Sequence, residues 1–142
     1  MGKINTGRVL IGGLLAGVVA NALDFVSYSI LMADDMQQMV QRLSLNPAVV
    51  DGTGAAVAWI VVDFLLGILV VWTYAAIRPR CGAGPTTAVY AALIPYAAIT
   101  MILYGYTRMG IFTMDAFVKG SVLALVTFLA ATLAGAAMYK EE

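Results

Sequence analysis

The chain alternates between four long apolar stretches and short polar connections. Each stretch exceeds the ~18 mainly apolar residues that a bilayer-spanning helix needs. We predict membrane-spanning helices over about residues 9–33, 55–77, 87–107 and 117–139. Since no internal repeat or long linker separates them, the pattern predicts a single all-α membrane domain over residues 1–142, folded as a four-helix bundle.

The first connection carries a helical pattern of its own over about residues 34–44. Two acidic residues open it, an Asn-Pro pair ends it, and apolar residues recur at i, i+3, i+4 and i+7 between them. The apolar residues are Met36, Met39, Val40 and Leu43. This pattern predicts a short amphipathic helix on the outer membrane surface. We favour a lid that caps the bundle over the alternative, a gate or docking surface with adaptable methionine contacts.

Composition supports a membrane protein. Hydrophobic residues make up 62% of the chain, charged residues 11%, and the mean hydropathy is +0.91. So few charges do not cover the surface of a water-soluble domain. The net charge of +0 argues against a nucleic-acid partner, which requires clustered Lys and Arg. The chain has no histidine and one cysteine, Cys81, so we expect neither a metal site nor a redox pair.

Lysine and arginine in the short connections predict the orientation, because they are enriched on the cytoplasmic side. With four spans, both termini lie on the same side as the second connection. That side has five basic residues against three on the other: Lys3, Arg8, Arg78, Arg80 and Lys140 against Arg42, Arg108 and Lys119. We therefore expect both termini in the cytoplasm, with Arg78 and Arg80 as topology anchors against anionic lipid.

Two carboxylates lie inside the predicted spans, where charged side chains are rare and mark a partner, an ion path or a site. Asp24 is eight residues before Met32, and Asp63 is eight residues after Ala55. With a rise of about 1.5 Å per residue, each lies roughly 12 Å below the same membrane boundary. The two carboxylates are therefore expected at equal depth.

Small and polar residues share helix faces with these carboxylates, and we expect those faces to point into the bundle. The predicted intramembrane polar site consists of Asn21, Asp24, Tyr28, Trp59, Asp63 and Lys119. Lys119 is included because its long side chain either bridges inward to a carboxylate or extends outward to water. The predicted helix-packing residues are Gly13, Gly17, Gly67, Ala131 and Gly135.

The paired carboxylates allow three interpretations. If each bonds to a neighbour such as Asn21, Tyr28, Trp59 or Lys119, they fasten the helices together and need no chemistry. If they approach one another, the pair holds a proton or a cation, as in a transporter or channel. Acid–base catalysis ranks last, because no nucleophile motif, ligand set or cofactor motif accompanies the pair. We favour the fasteners, since a 15.0 kDa bundle has little room for a pathway unless it oligomerises.

Several blocks carry a resemblance to a family. They are the run from Arg8 to Gly17 followed by Asn21 and Asp24, the run from Tyr74 to Arg80 with Gly82 and Gly84-Pro85, and the segments Leu133-Ala134-Gly135 and Tyr139-Lys140-Glu141. These blocks resemble small bacterial four-helix integral membrane proteins that have no assigned activity. The resemblance spans nearly the whole chain and implies a bacterial inner-membrane location and no catalytic role.

The sequence thus predicts a non-enzymatic inner-membrane protein without cofactor or metal, acting as an accessory or structural subunit. Its expected partners are membrane lipid and either further copies of itself or a larger membrane complex. The alternative is a small oligomeric transporter or channel that uses Asp24 and Asp63.

Overall fold

The computed structural model describes residues 3–140, and helices make up nearly all of this range. Four of them are long and apolar enough to cross a membrane. In chain order the helices are α1 (Thr6–Val26), a π-helical turn (Ser27–Leu31), α2 (Ala33–Arg42), α3 (Pro47–Val50), α4 (Thr53–Cys81), α5 (Pro85–Arg108) and α6 (Met114–Ala137). The four long helices match the four predicted segments, and each begins two or three residues earlier than predicted.

The four long helices form a bundle in which α1 has the most extensive contacts. It packs against α4 and α6, while α5 packs against α6 and less extensively against α4. The buried core is dominated by small residues and valine, with alanines from α1, α5 and α6 and Val70 and Val71 from α4. Small side chains let helix backbones approach closely, which is how helices associate without a hydrophobic driving force in lipid.

A seam of glycines brings α1, α4 and α6 together, and we call it the glycine seam: Gly12, Gly13, Gly17, Gly67 and Gly135. All five are buried. A Cβ atom on Gly67 would lie 2.5 Å from the Gly13 carbonyl oxygen, and one on Gly135 would lie 2.6 Å from that of Gly12. No larger residue fits at these contacts without separating the helices. Four of the five predicted packing residues belong to the seam, and the fifth, Ala131, is buried in the core beside it.

The connection between α4 and α5 is shorter than the sequence predicts. The Pro- and Gly-containing segment after residue 77 was expected to be a turn, yet α4 continues through Pro79 to Cys81. Proline has a φ close to the helical value, and the backbone hydrogen bond that it removes lies near the end of the helix, with only Arg80 and Cys81 after it. Gly82 ends the helix with a φ of 84°, and its carbonyl oxygen accepts a 2.7 Å hydrogen bond from the Thr87 hydroxyl.

The first and last described segments and the α4–α5 turn lie at the same end of the bundle, where an aromatic cluster connects them. The rings of Tyr74 and Tyr139 meet edge to face with centroids 5.9 Å apart, and the Arg78 guanidinium lies 5.5 Å from the Tyr139 centroid. The Tyr139 hydroxyl accepts a hydrogen bond from the Asn5 backbone amide at 3.3 Å. Of the two predicted topology anchors, Arg80 is exposed, whereas Arg78 is half-buried against this cluster.

Candidate functional site

The two carboxylates within the long apolar helices lie on neighbouring helices, Asp24 on α1 and Asp63 on α4, and face one cavity. Their environments differ. Asp24 is half-buried, and its Oδ1 accepts a hydrogen bond from the Thr127 hydroxyl of α6 at 2.9 Å. This bond joins two helices far apart in sequence, so Asp24 has the geometry of a fastener.

Asp63 as a whole residue has 7% of its surface exposed, and it lines the same cavity as Asp24. Within residues 3–140 it forms no hydrogen bond and no ion pair. An ionisable group in such a place costs free energy unless something in the cavity compensates it. Asp63 therefore does not have the partner that a fastener requires.

The space between the two carboxylates is small, and we call it the carboxylate cavity. Its volume is about 30 Å³, enough for one or two water molecules. Polar groups from α1, α4 and α6 line one part of it, and apolar side chains line the remainder. The lining residues are Ala20, Asp24, Asp63, Leu66, Gly67, Val70, Thr127, Phe128, Ala131 and Thr132.

Thr132 adds a second unsatisfied polar group to this cavity. Its side chain is 0% exposed, and its hydroxyl has no hydrogen-bond partner in the described part of the chain. A helical threonine commonly bonds to a carbonyl of the preceding turn, as Thr73 bonds to Leu69 at 2.8 Å. A hydroxyl left unpaired in the interior costs about 1–3 kcal/mol, so the cavity is polar but incompletely satisfied.

Tight packing borders the cavity on the side nearer the chain termini. Gly67 lines the cavity and belongs to the glycine seam, and Val70, which also lines it, is 2% exposed. One residue further along α4, Val71 is 0% exposed and lies against Gly12 and Gly135. The carboxylate cavity is thus a pocket bordered by packed side chains.

The remaining residues of the predicted polar site lie at different distances from the carboxylates. Trp59 is 66% exposed and does not lie on an inward face, whereas Tyr28 is 47% exposed but lies close enough to Asp24 and Asp63 to interact with their charges. Asn21 donates to the carbonyl oxygens of Gly17 at 2.9 Å and Ile60 at 3.4 Å, and not to a carboxylate. Asn21 therefore helps hold α1 against α4 and forms no hydrogen bond with Asp24 or Asp63.

Helix geometry explains the exposure of both aromatic residues. The prediction for Trp59 assumed that another helix packs along the whole length of α4. The first turns of α4, through residue 62, instead have mostly exposed side chains. The Tyr28 prediction assumed a regular α-helix, whereas Ser27–Leu31 form a π-helical turn in which Met32 donates to the Ser27 carbonyl at 2.8 Å. The wider turn changes the register, and Ser27 is buried in place of Tyr28.

Lys119 does not reach the carboxylate cavity. Its ammonium group forms a 2.8 Å ion pair with Asp35 of α2, so its side chain extends outward. Nearby, the Arg42 guanidinium donates to the carbonyl oxygens of Gly110 at 2.5 Å and Ile111 at 2.6 Å. These contacts hold α2 against the α5–α6 connection at the end of the bundle opposite the termini.

A second cavity of about 70 Å³ lies between α2 and the start of α6.

The polar side-chain groups that line the cavity are carboxylates and hydroxyls. Within residues 3–140, no group of three or more His, Cys, Asp or Glu residues lies close enough to hold a metal ion. The carboxylate cavity combines two carboxylates with two hydroxyls, a set that suits hard cations and water. Neither Thr127 nor Thr132 was among the residues predicted for the polar site. Thr127 is ten residues after Phe117, about 15 Å along the helix, which is a depth similar to that of the carboxylates.

Comparison with known proteins gives no relative to guide interpretation of the site. No family model, curated protein or solved structure matches this chain.

Proposed function

We propose that this protein is a non-enzymatic, multi-pass protein of the bacterial cytoplasmic membrane that acts as a structural or accessory subunit. In this proposal both termini are cytoplasmic, and α2 is a lid on the outer surface. Five of the eight basic residues lie on the terminal side, as the positive-inside rule requires for that orientation. The membrane and its bacterial origin are inferred from the apolar spans and from the family resemblance.

One observation carries the structural role: the long helices leave most of their apolar surface outside the bundle. At most 33% of the most apolar window of any candidate span is buried inside the protein. Lipid covers part of such a surface, and further copies or a larger membrane protein cover the rest in an assembly. The small volume of the carboxylate cavity also supports this role, because it leaves no room for a solute much larger than water.

The experiment is gentle extraction of the full chain from its own membrane, followed by native mass spectrometry. We expect a complex of fixed stoichiometry that contains this chain with additional copies or with a second membrane protein. A chain that runs as a monomer with bound lipid, in every detergent that preserves its helical content, would contradict the subunit role.

A second function, a small transporter or channel, is favoured by one specific observation. Asp63 is buried beside Asp24 without a hydrogen bond or ion pair among the described residues, which is unusual for a purely structural carboxylate. A pathway would have to be completed between copies, because packed side chains border the cavity within one chain. Ion flux through the purified protein separates this function from the structural one.

A further inference from the structure

We propose that the carboxylate cavity binds one monovalent cation of about the size of sodium. Four oxygen-bearing side chains from three helices hold it: Asp24 from α1, Asp63 from α4, and Thr127 and Thr132 from α6. The inference concerns binding, not movement across the membrane. It therefore goes beyond both proposed functions and does not depend on which of them is correct.

The negative charge in the cavity favours a bound cation. Two carboxylates share this interior space, while Lys119, on the helix that supplies both threonines, is committed to Asp35 at 2.8 Å. The Thr127 hydroxyl serves Asp24, which leaves Asp63 without compensation. A buried charge is stable only when it is paired or coordinates an ion, and a bound cation meets that requirement.

The Thr132 hydroxyl supports the cation site independently of the two carboxylates. The Thr132 hydroxyl is fully buried, lines the same cavity and has no partner in the described part of the chain. A hydroxyl has two acceptor lone pairs in addition to its one donor. Cation coordination therefore explains why this group is buried there, whereas a cavity serving only to pack helices would favour valine at this position.

Size and ligand number select the class of cation. A volume of about 30 Å³ admits a single ion that is no larger than a water molecule. Calcium takes about 6–8 oxygen ligands, and magnesium keeps several of its own waters in a near-octahedral shell. The four side chains carry six oxygen atoms, and one of them, the Asp24 Oδ1, already accepts the Thr127 hydrogen bond, so the set falls short of a full shell for either ion. A monovalent ion with a few oxygen ligands fits.

The test is direct binding of radioactive sodium to the purified full chain in detergent, with choline keeping the ionic strength constant. We expect saturable binding of one sodium per chain, which excess unlabelled sodium displaces and choline does not. Thr132→Val should weaken binding at least tenfold, because it removes one ligand without changing the charge or the shape of the cavity. Asp63→Asn should abolish binding.

The matched control is Thr107→Val. The Thr107 hydroxyl bonds to the Leu103 carbonyl of its own helix at 2.9 Å, away from the cavity. Its removal should leave sodium binding unchanged.

Stability measurements keep the proposal testable if Asp63→Asn does not fold. Sodium should raise the unfolding temperature of the wild type relative to choline, and should raise that of Thr132→Val much less, because ligand binding stabilises the folded state. No saturable sodium binding to folded wild type would overturn the proposal, and the cavity would then hold only water or a proton. Equal sodium affinity of the wild type and Thr132→Val would also overturn it. Neither result bears on the subunit role, which native mass spectrometry tests separately.

Discussion

The closest contact between α1 and α4 provides a quantitative prediction through Gly67→Ala. The added Cβ atom would lie 2.5 Å from the Gly13 carbonyl oxygen and 2.6 Å from the Gly17 amide nitrogen. Both are backbone atoms, so no side-chain rotation relieves the contact. The two helices would have to separate by about 0.9 Å to restore an ordinary distance of 3.4 Å. Overpacking of this kind costs about 1–3 kcal/mol of folding free energy.

Gly105→Ala is the matched control, because Gly105 also lies within a long helix but an added Cβ atom meets nothing within 4 Å. Alanine is favoured over glycine in a helix interior by about 0.5–1 kcal/mol. Because both changes replace a helical glycine with alanine, this preference cancels, and the two variants should differ by about 1–3 kcal/mol in unfolding free energy. Equilibrium unfolding by dodecyl sulfate in mixed micelles, followed by circular dichroism, measures that difference. Equal stability of the two variants would refute the close approach of α1 and α4.

Three further predictions concern packing, the carboxylates and topology. Gly17→Leu should abolish the monodisperse folded species in size-exclusion chromatography, because the leucine side chain would overlap Phe64. Val57→Leu, at a position that is 54% exposed, should behave as wild type. Asp24→Asn should retain the hydrogen bond to Thr127. Asp24→Leu should lose about 1–3 kcal/mol of unfolding free energy, because it leaves the Thr127 hydroxyl unpaired. Similar unfolding curves for the two variants would contradict the role of Asp24 as a fastener. Cys81, which is exposed, should react with a membrane-impermeant thiol reagent only after cells are permeabilised, and labelling of intact cells would reverse the proposed orientation.

The long helices and their small-residue contacts could be predicted because each depends on local sequence. An apolar run of sufficient length predicts a span, and glycines at helical spacing predict a close contact. Gly13, Gly17 and Gly67 accordingly meet at one crossing of α1 and α4. The equal depth of Asp24 and Asp63 also followed from counting residues, and the structure places both on one cavity.

The partners of the carboxylates could not be predicted, because they depend on features that periodicity does not encode. Tyr28 was assigned to the Asp24 face by a regular 3.6-residue repeat; it lies near both carboxylates, but the π-helical turn at Ser27–Leu31 breaks that repeat and leaves the side chain half exposed. Trp59 was assigned inward by the same rule, although α4 has no neighbour there to pack against. The pairing of Lys119 with Asp35 depends on how the first connection folds back over α6, which is a tertiary property.

Ion flux through the purified chain in liposomes most directly tests whether the carboxylates serve structure or transport. Sodium and proton fluxes would be measured under imposed gradients, with protein-free liposomes and Asp63→Asn as references. The structural account predicts that the wild type gives no more flux than protein-free liposomes, even if the cavity binds sodium. Flux well above that level, abolished by Asp63→Asn in a protein of unchanged helical content and stability, would contradict the structural account and establish transport.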